Sequence, residues 1–326
     1  MATLTDQVPS ALSPKDKKWW TDLRSPRKWS RTTRRNFITG ISFASLWILG
    51  FLFFNLYPML ASLYYSFTEY HILKPKIWVG LANYVQLFHD PLFYKALTNT
   101  TYMVIVGVTM SLLLSFTFAV FLNFKVPGQS IFRVIYFLPS IVPTVASTLL
   151  FIWVLNPNQG YLQMMLGKFG IVGPDWFKDP NWSKPGLLLL SLWGMGQTIM
   201  IYLSGLQDVP RSLLEAAELD GASWFQRLRY ITIPMVSPIT LFMIIIGIIG
   251  MFQYFTQAYV FSHAGGAASA LGSPLQSTLF YSVYLYSIGF QQLNLGYASA
   301  LAWILFIIIM ACTVVMLRYS TRWTYY

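Results

Sequence analysis

The chain of 326 residues carries eleven carboxylates, three histidines and one cysteine, and their spacing composes no reaction centre. His71, His89 and His263 stand far apart, and no Cys/His cluster has metal-ligand spacing. Cys312 lies inside an apolar run with no second cysteine to pair with. No nucleophile–base pair or carboxylate dyad stands out, and no G-x-x-x-x-G-K-[ST] loop is present to hold a nucleotide phosphate. The expectation is a non-catalytic chain with no metal and no cofactor of its own.

The elements around these residues are apolar. Hydrophobic residues make up 56% of the chain and charged ones 10%, against roughly 25% charged in a soluble domain. That is the composition of an integral membrane protein. The net charge of +11 reads better as membrane topology than as nucleic-acid binding. Six uncharged apolar runs, at 38–57, 99–122, 134–155, 186–206, 236–261 and 296–317, each approach the ~20 residues that a bilayer-spanning helix needs. All 33 charged side chains fall outside them, as the cost of burying charge in lipid requires. An ion- or proton-coupled transporter needs a titratable or ion-binding group within its helices. None is there, so uphill movement of a solute must draw its energy from a partner.

With the N-terminus inside, the inner segments 1–37, 123–133, 207–235 and 318–326 hold sixteen Lys and Arg residues. The longer outer segments 58–98, 156–185 and 262–295 hold six. This bias places both termini and 207–235 in the cytoplasm. The tail 1–37 supplies nine of the sixteen, with Trp19, Trp20 and Trp29 among them. It fits a solvated tail or a surface-lying anchor. It does not fit a signal peptide, because its charged region is too long and no small-residue cleavage site follows. On the outer side, 156–185 reads as a turn-rich cap. The 275–290 segment is apolar but too short to span, and reads as a re-entrant helix or one lying on the outer surface.

Between the fourth and fifth runs, 207–235 has the pattern of two short helices joined at Gly221. Ser212-Leu213-Leu214-Glu215 and Ser223-Trp224-Phe225-Gln226 each fit a capping box. Arg211, Glu215 and Glu218 share one side of the first helix, while Leu213, Ala216 and Ala217 make a small apolar side that another backbone can approach. Gly221 suits a left-handed turn, and Trp224, Leu228 and Ile231 form an apolar stripe. Pro234 breaks the pattern before the fifth run. Periodicity alone fits an ordinary interfacial hairpin in which Glu215 is only a cap.

The residue order says more. Glu215-Ala216-Ala217, Gly221, Ile231 and Pro234 match EAA-x3-G-x9-I-x-L-P, with Ile233 in place of Leu. This signature resembles that of the ABC importer permeases. The resemblance runs over about 38–320 and is to the sugar-type permeases of the maltose and glycerol-phosphate uptake class. Tyr57-Pro58 with Ser66-Phe67-Thr68, Gly80-Leu81-Ala82-Asn83-Tyr84, and Phe132-Arg133 with Tyr136-Phe137-Leu138-Pro139 carry it further. So do Asn156-Pro157-Asn158-Gln159-Gly160, Asp220-Gly221-Ala222-Ser223 and Leu295-Gly296-Tyr297-Ala298-Ser299-Ala300. The basic tail and the loop His263-Ala264-Gly265-Gly266-Ala267-Ala268 depart from the family pattern.

That resemblance implies an all-α integral membrane protein of the prokaryotic inner membrane. Its fold is the type I ABC importer permease, six transmembrane helices with a cytoplasmic coupling helix-turn-helix. The implied partners are a second permease subunit, two ATP-binding subunits that hold ATP and Mg²⁺, and an external solute-binding protein. Glu215, Ala216, Ala217, Asp220, Gly221, Ile231 and Pro234 then couple ATPase movement to alternating access. Sugars are held by aromatic stacking with neutral hydrogen-bonding groups. Trp193 and Gln197 on the fourth run, and Phe252, Gln253, Tyr254 and Gln257 on the fifth, are the candidates for the solute path, against interhelical packing as the alternative. The runs carry no basic group for an anionic solute, so a neutral sugar or oligosaccharide is expected. A polyol or glycerol-phosphate permease, or a self-contained facilitator, leaves a similar sequence.

Overall fold

The computed structural model describes residues 30–124, 127–264 and 272–320. Most of the tail 1–37, residues 265–268 of the outer loop and 321–326 lie outside the described residues. Those up to Ser62 form one unit and those from Leu63 a second. The first long helix, α1 (Arg31–Ser66), starts behind Ser30, whose hydroxyl accepts the amide of Thr33 at 3.1 Å, and carries a π-turn at Leu52–Leu56.

The second unit continues with two short antiparallel strands, β1 (Thr68–Glu69) and β2 (Ile77–Trp78), Thr68 opposite Trp78. Then come α2 (Ala82–His89), α3 (Pro91–Asn123), α4 (Gln129–Ile141), α5 (Thr144–Val154), α6 (Tyr161–Lys168), α7 (Pro180–Trp193), α8 (Gly196–Gln207) and α9 (Arg211–Leu219). α10 (Trp224–Arg227), a π-turn at Leu228–Thr232, α11 (Ile233–Phe252) and α12 (Thr256–Ser262) follow along one 39-residue stretch. α13 (Tyr281–Tyr286) and α14 (Leu295–Ser320) come last. Among the described residues, counting Trp224–Ser262 as one, four helices are long and apolar enough to cross a membrane. The number is six if the bent pairs α4–α5 and α7–α8 are each one span.

Two of the six runs are therefore bent by more than 40°. The third turns by 100° between α4 and α5, where Pro139 and Pro143 lack the N–H that the helical ladder needs. The fourth bends by 49° at the α7–α8 junction, and close packing explains why glycine stands there. A Cβ on Gly196 would lie 2.2 Å from the carbonyl oxygen of Tyr136, so only glycine lets the α4 backbone approach. Pro234, in contrast, does not break the fifth run. Ile233 donates to the carbonyl of Leu228, five residues back, and this π-turn shifts the ladder's register ahead of the proline. The helix then continues through it.

Two apolar cores form in this unit. The larger includes Phe93, Met103, Leu187, Phe280, Tyr281 and Leu301. The smaller gathers Ala119, Ile199, Tyr202, Leu203, Leu206 and Val236, with Leu214 and Ile231 packed against it. Leu279, Phe280, Tyr281 and Val283 are buried, which corrects the reading of 275–290 as a helix lying on the surface. Leu279, Phe280, Tyr281, Val283, Tyr284 and Ile288 belong to the larger core, while Leu275 and Phe290 at its ends are exposed.

Candidate functional site

The geometry of α9 and α10 comes from their ends. α9 begins directly behind Pro210 with no side-chain cap, so Ser212 is already inside the first turn and the first expected capping box is absent. The second is present. Ser223 Oγ accepts the amide of Gln226 at 3.4 Å, and Gln226 Oε1 accepts the amide of Ser223 at 2.7 Å. Between them, Asp220 is the C-cap of α9 and Gly221 takes φ +80°. The amides of Gly221 and Ala222 reach the carbonyls of Glu218 and Ala217 at 3.0 and 2.9 Å, a Schellman end that requires the left-handed residue. An ion pair between Glu218 and Arg227 then ties α9 to α10.

No residue of α9 is buried. Leu214 and Ala217, three apart, are its half-buried side, with Leu214 against the smaller core. Leu213, Glu215 and Ala216 are exposed. The expected small apolar side is thus divided, Ala217 inward and Ala216 outward beside Glu215. Ile231 shares the core contact of Leu214, and Pro234 is half-buried just beyond the π-turn. The seven expected coupling residues therefore lie between α9 and the first turn of α11, with a seated side and an exposed side.

A cavity of about 320 Å³ opens where three helix interruptions meet, those of α4–α5, α7–α8 and α11–α12. Interrupted helices free backbone polar groups, and membrane proteins tolerate them where they line a cavity. Ser140, Ser147, Ser191, Trp193, Tyr254 and Gln257 line this one, and no charged side chain does. Ser191 Oγ lies 3.3 Å from the Tyr254 hydroxyl, and the Trp193 ring packs on Phe151 with centroids 5.4 Å apart. Three of the six expected solute-path residues are brought together here.

The other three are not. Gln197 and Gln253 are exposed and outside the lining, and Phe252 is buried in the larger core. The expected four-residue pairs do not share a helix, because the interruptions fall between their members. Trp193 ends α7 and Gln197 opens α8, while Gln253 caps α11 and Gln257 belongs to α12.

Sequence reading missed the polar ties at the end that holds the strands. Asp90 caps α3 by accepting the amide of Leu92 at 2.9 Å, and its other oxygen accepts the hydroxyls of Tyr284 and Tyr297, the latter at 2.6 Å. Burial first, then the hydrogen bond to the Asp90 carboxylate, raises the Tyr284 phenol above its ordinary value. Asn99 donates to the carbonyls of Gln276 and Leu279 at 2.8 and 2.9 Å, and Asn83 to those of Ser66 and Thr68, both at 2.9 Å. The one available signal was the set of short matching stretches. Ser66–Thr68, Gly80–Tyr84 and Leu295–Ala300 meet here, and a Cβ on Gly296 would stand 2.1 Å from the Thr68 carbonyl oxygen.

Membrane-crossing helices and an uncharged cavity at the helix breaks are the architecture of a multi-pass membrane permease. Residues 111–324 match the family described as binding-protein-dependent transport system inner membrane component, and the chain belongs to that family. It is 36% identical over 301 residues to the probable ABC transporter permease protein YesP of Bacillus subtilis (strain 168), covering 92% of this chain and 96% of that one. It is 33% identical over 286 residues to the arabinooligosaccharides transport system permease protein AraP of the same organism, covering 85% and 87%. A crystal structure of a bacterial ABC transporter involved in the import of the acidic polysaccharide alginate shares the fold. Its TM-score is 0.75 at 20% identity, over 94% of this chain and 100% of that one. The expected all-α fold of a type I ABC importer permease is borne out, and the protein is a multi-pass inner-membrane component of a binding-protein-dependent system.

Proposed function

We propose that this chain forms part of the solute path of an ATP-driven importer for a neutral sugar or oligosaccharide. Its partners in this reading are a second permease, two ATP-binding subunits that hold ATP and Mg²⁺, and an external solute-binding protein. The carrying observation is a mechanical continuity. α10 passes through its π-turn into α11 without a break, and α11 supplies Gly247, Gly250 and Met251 to the cavity wall. A push on α9 and α10 from an ATPase groove is thereby delivered along one helix to the solute cavity. Glu215 and Ala216 meet the groove, Gly221 sets the angle between the two short helices, and Ile231 seats the unit on the smaller core. Alternating access follows when ATP-driven closure favours one of two arrangements of the helices.

A lining of hydroxyls, one amide and two aromatic rings, without charge, supports a neutral, hydroxyl-rich solute. Relatives named for arabinooligosaccharides and, in Rhizobium radiobacter, for lactose, at 33% and 32% identity, support the same class. The excess of basic residues on 207–235 and both termini supports a cytoplasmic position for them. The test is uptake by proteoliposomes holding the whole assembly. Uptake of labelled arabino-oligosaccharide or lactose is expected only with ATP and the binding protein, and Trp193→Ala or Gln257→Ala raises its KM. Uptake by the single chain without ATP sinks the proposal.

A further inference from the structure

Glycine inside a helix calls for a reason, because only proline is less favourable there. In the second unit, packing supplies that reason in most cases. A Cβ on Gly107, Gly186, Gly205 or Gly247 would come within 2.1–3.2 Å of a side chain on a neighbouring helix. A Cβ on Gly250 meets nothing within 4 Å outside its own helix, and Gly250 lies inside α11, two residues before its end. Gly167 is equally open, but α6 takes no part in the cavity at the helix breaks. Gly250 lines that cavity.

A bare position on a membrane helix also serves the close approach of another helix. Faces built for that repeat small residues at four-residue spacing. Around Gly250 this spacing falls on Ile246 and Tyr254, and Gly247, one turn back, is already packed on Val108. The wall that α11 gives the cavity is Gly247, Gly250, Met251 and Tyr254, continued by Gln257 of α12. Phe242 and Ile246 precede Gly250 on the exposed stripe of α11 and are bulky. The stripe becomes bare at Gly250, where the cavity opens.

We propose that Gly250 determines the size of the solute, its missing side chain setting the longest sugar chain that the cavity admits. The proposal rests on reading this cavity as the solute path. Trp193 and Tyr254 offer ring faces for a sugar to stack on, and bare backbone lets a ligand come close. The room at Gly250 is what a further sugar unit occupies. A pocket wall discriminates by volume, one methylene changing recognition about 10–200-fold. Side chains of growing size at 250 therefore exclude the longer sugars first.

The test is binding to the complete importer in detergent, with the solute-binding protein left out so that its own preference does not intrude. Labelled arabinose, arabinobiose and arabinotriose, and galactose beside lactose, are titrated against the wild type and Gly250→Ala, Gly250→Val and Gly250→Leu. Along that series the trisaccharide is expected to weaken first, by about tenfold or more at valine. The disaccharides follow at leucine, and monosaccharide binding changes least. Melting temperature and co-purification of the second permease, read on the same samples, should follow the wild type, because a Cβ at 250 meets no neighbouring helix of this chain. Equal loss for every sugar length, or no loss at leucine, overturns the size role and leaves the cavity standing as a solute site. Loss of the second permease from Gly250→Leu overturns it in favour of close helix packing. A wild type that binds none of these sugars refutes the sugar reading of the cavity and this proposal with it.

Discussion

At the strand end, hydrogen bonds join parts of the chain that are distant in sequence. Asn99 reaches Gln276 and Leu279, 177 and 180 positions away, the Tyr281 amide donates to Thr100 Oγ1 across 181, and Tyr284 and Tyr297 converge on Asp90 across 194 and 207. At the α9 end, among the described residues, 209–235 makes no hydrogen bond to a partner more than nine positions away. Its seat is apolar, Leu214 and Ile231 on the smaller core and Trp224 against Phe124 with ring centroids 6.0 Å apart. Directional bonds between distant segments resist shear. Apolar contact resists separation far more than sliding. The first region is thus built as a block and the second as a unit able to keep its own shape if displaced, which is what the proposed stroke requires.

The sharpest way to break this contrast is at Gly221. Proline there replaces φ +80° by about −65° and removes the amide that closes the Schellman end, so the angle between α9 and α10 is lost. Uptake by Gly221→Pro is expected to fall on the order of 10–100-fold, the range of one coupling free energy. Membrane insertion should match the wild type and the melting temperature should fall only slightly, because the backbone strain stays in the turn and a Cβ on Gly221 meets nothing within 4 Å. A melting temperature that falls steeply together with uptake shows that the α9 end also holds the fold, and the contrast fails.

The reverse outcome is expected at Asn99. Asn99→Leu leaves the carbonyls of Gln276 and Leu279 without their shared donor inside a buried site. At roughly 1–3 kcal/mol for each of the two unsatisfied groups, a loss of about 2–6 kcal/mol and a clear drop in melting temperature follow. ATP-driven uptake per folded molecule stays near the wild-type rate. Asp90→Asn is milder, because its one carbonyl oxygen still serves either the two tyrosine hydroxyls or the Leu92 amide, and it gives up the other contact and the charge assistance, about 1–2 kcal/mol. Equal stability of all three proteins in detergent melts contradicts the block.

The same contrast explains what could be read in the sequence. The α9–α10 unit is local, so its demands appear as residue types at fixed spacing: glycine where φ is +80°, Ser223 and Gln226 three apart. Asp90 has a local neighbourhood only for its cap on Leu92; its tyrosine partners lie some 200 positions on, and spacing along the chain does not point to them. The helix interruptions were hidden for another reason. Apolar residues continue straight through Gly194 and Gln253, and an apolar run does not record where its backbone bends. Pro234 misled in the opposite sense, because a proline stops an α-helical ladder only where the register is not already shifted by a π-turn.

The smallest expected effect sharpens the idea of a self-contained unit. Glu218 and Arg227 make an ion pair between α9 and α10, but the glutamate side chain is 66% exposed and the arginine 21%. Water and salt screen such a pair, which limits it to under about 1 kcal/mol. The Schellman end and the capping box already fix the two helices, so the pair only trims their relative motion. Glu218→Gln should leave the melting temperature unchanged and slow uptake by less than about twofold at low salt. The ratio of variant to wild-type rates should approach one as ionic strength rises, because the wild type loses the same attraction to screening. A large, salt-independent loss of uptake in Glu218→Gln assigns Glu218 a direct contact with the partner groove. The docking surface then extends from Glu215 across the whole exposed side of α9.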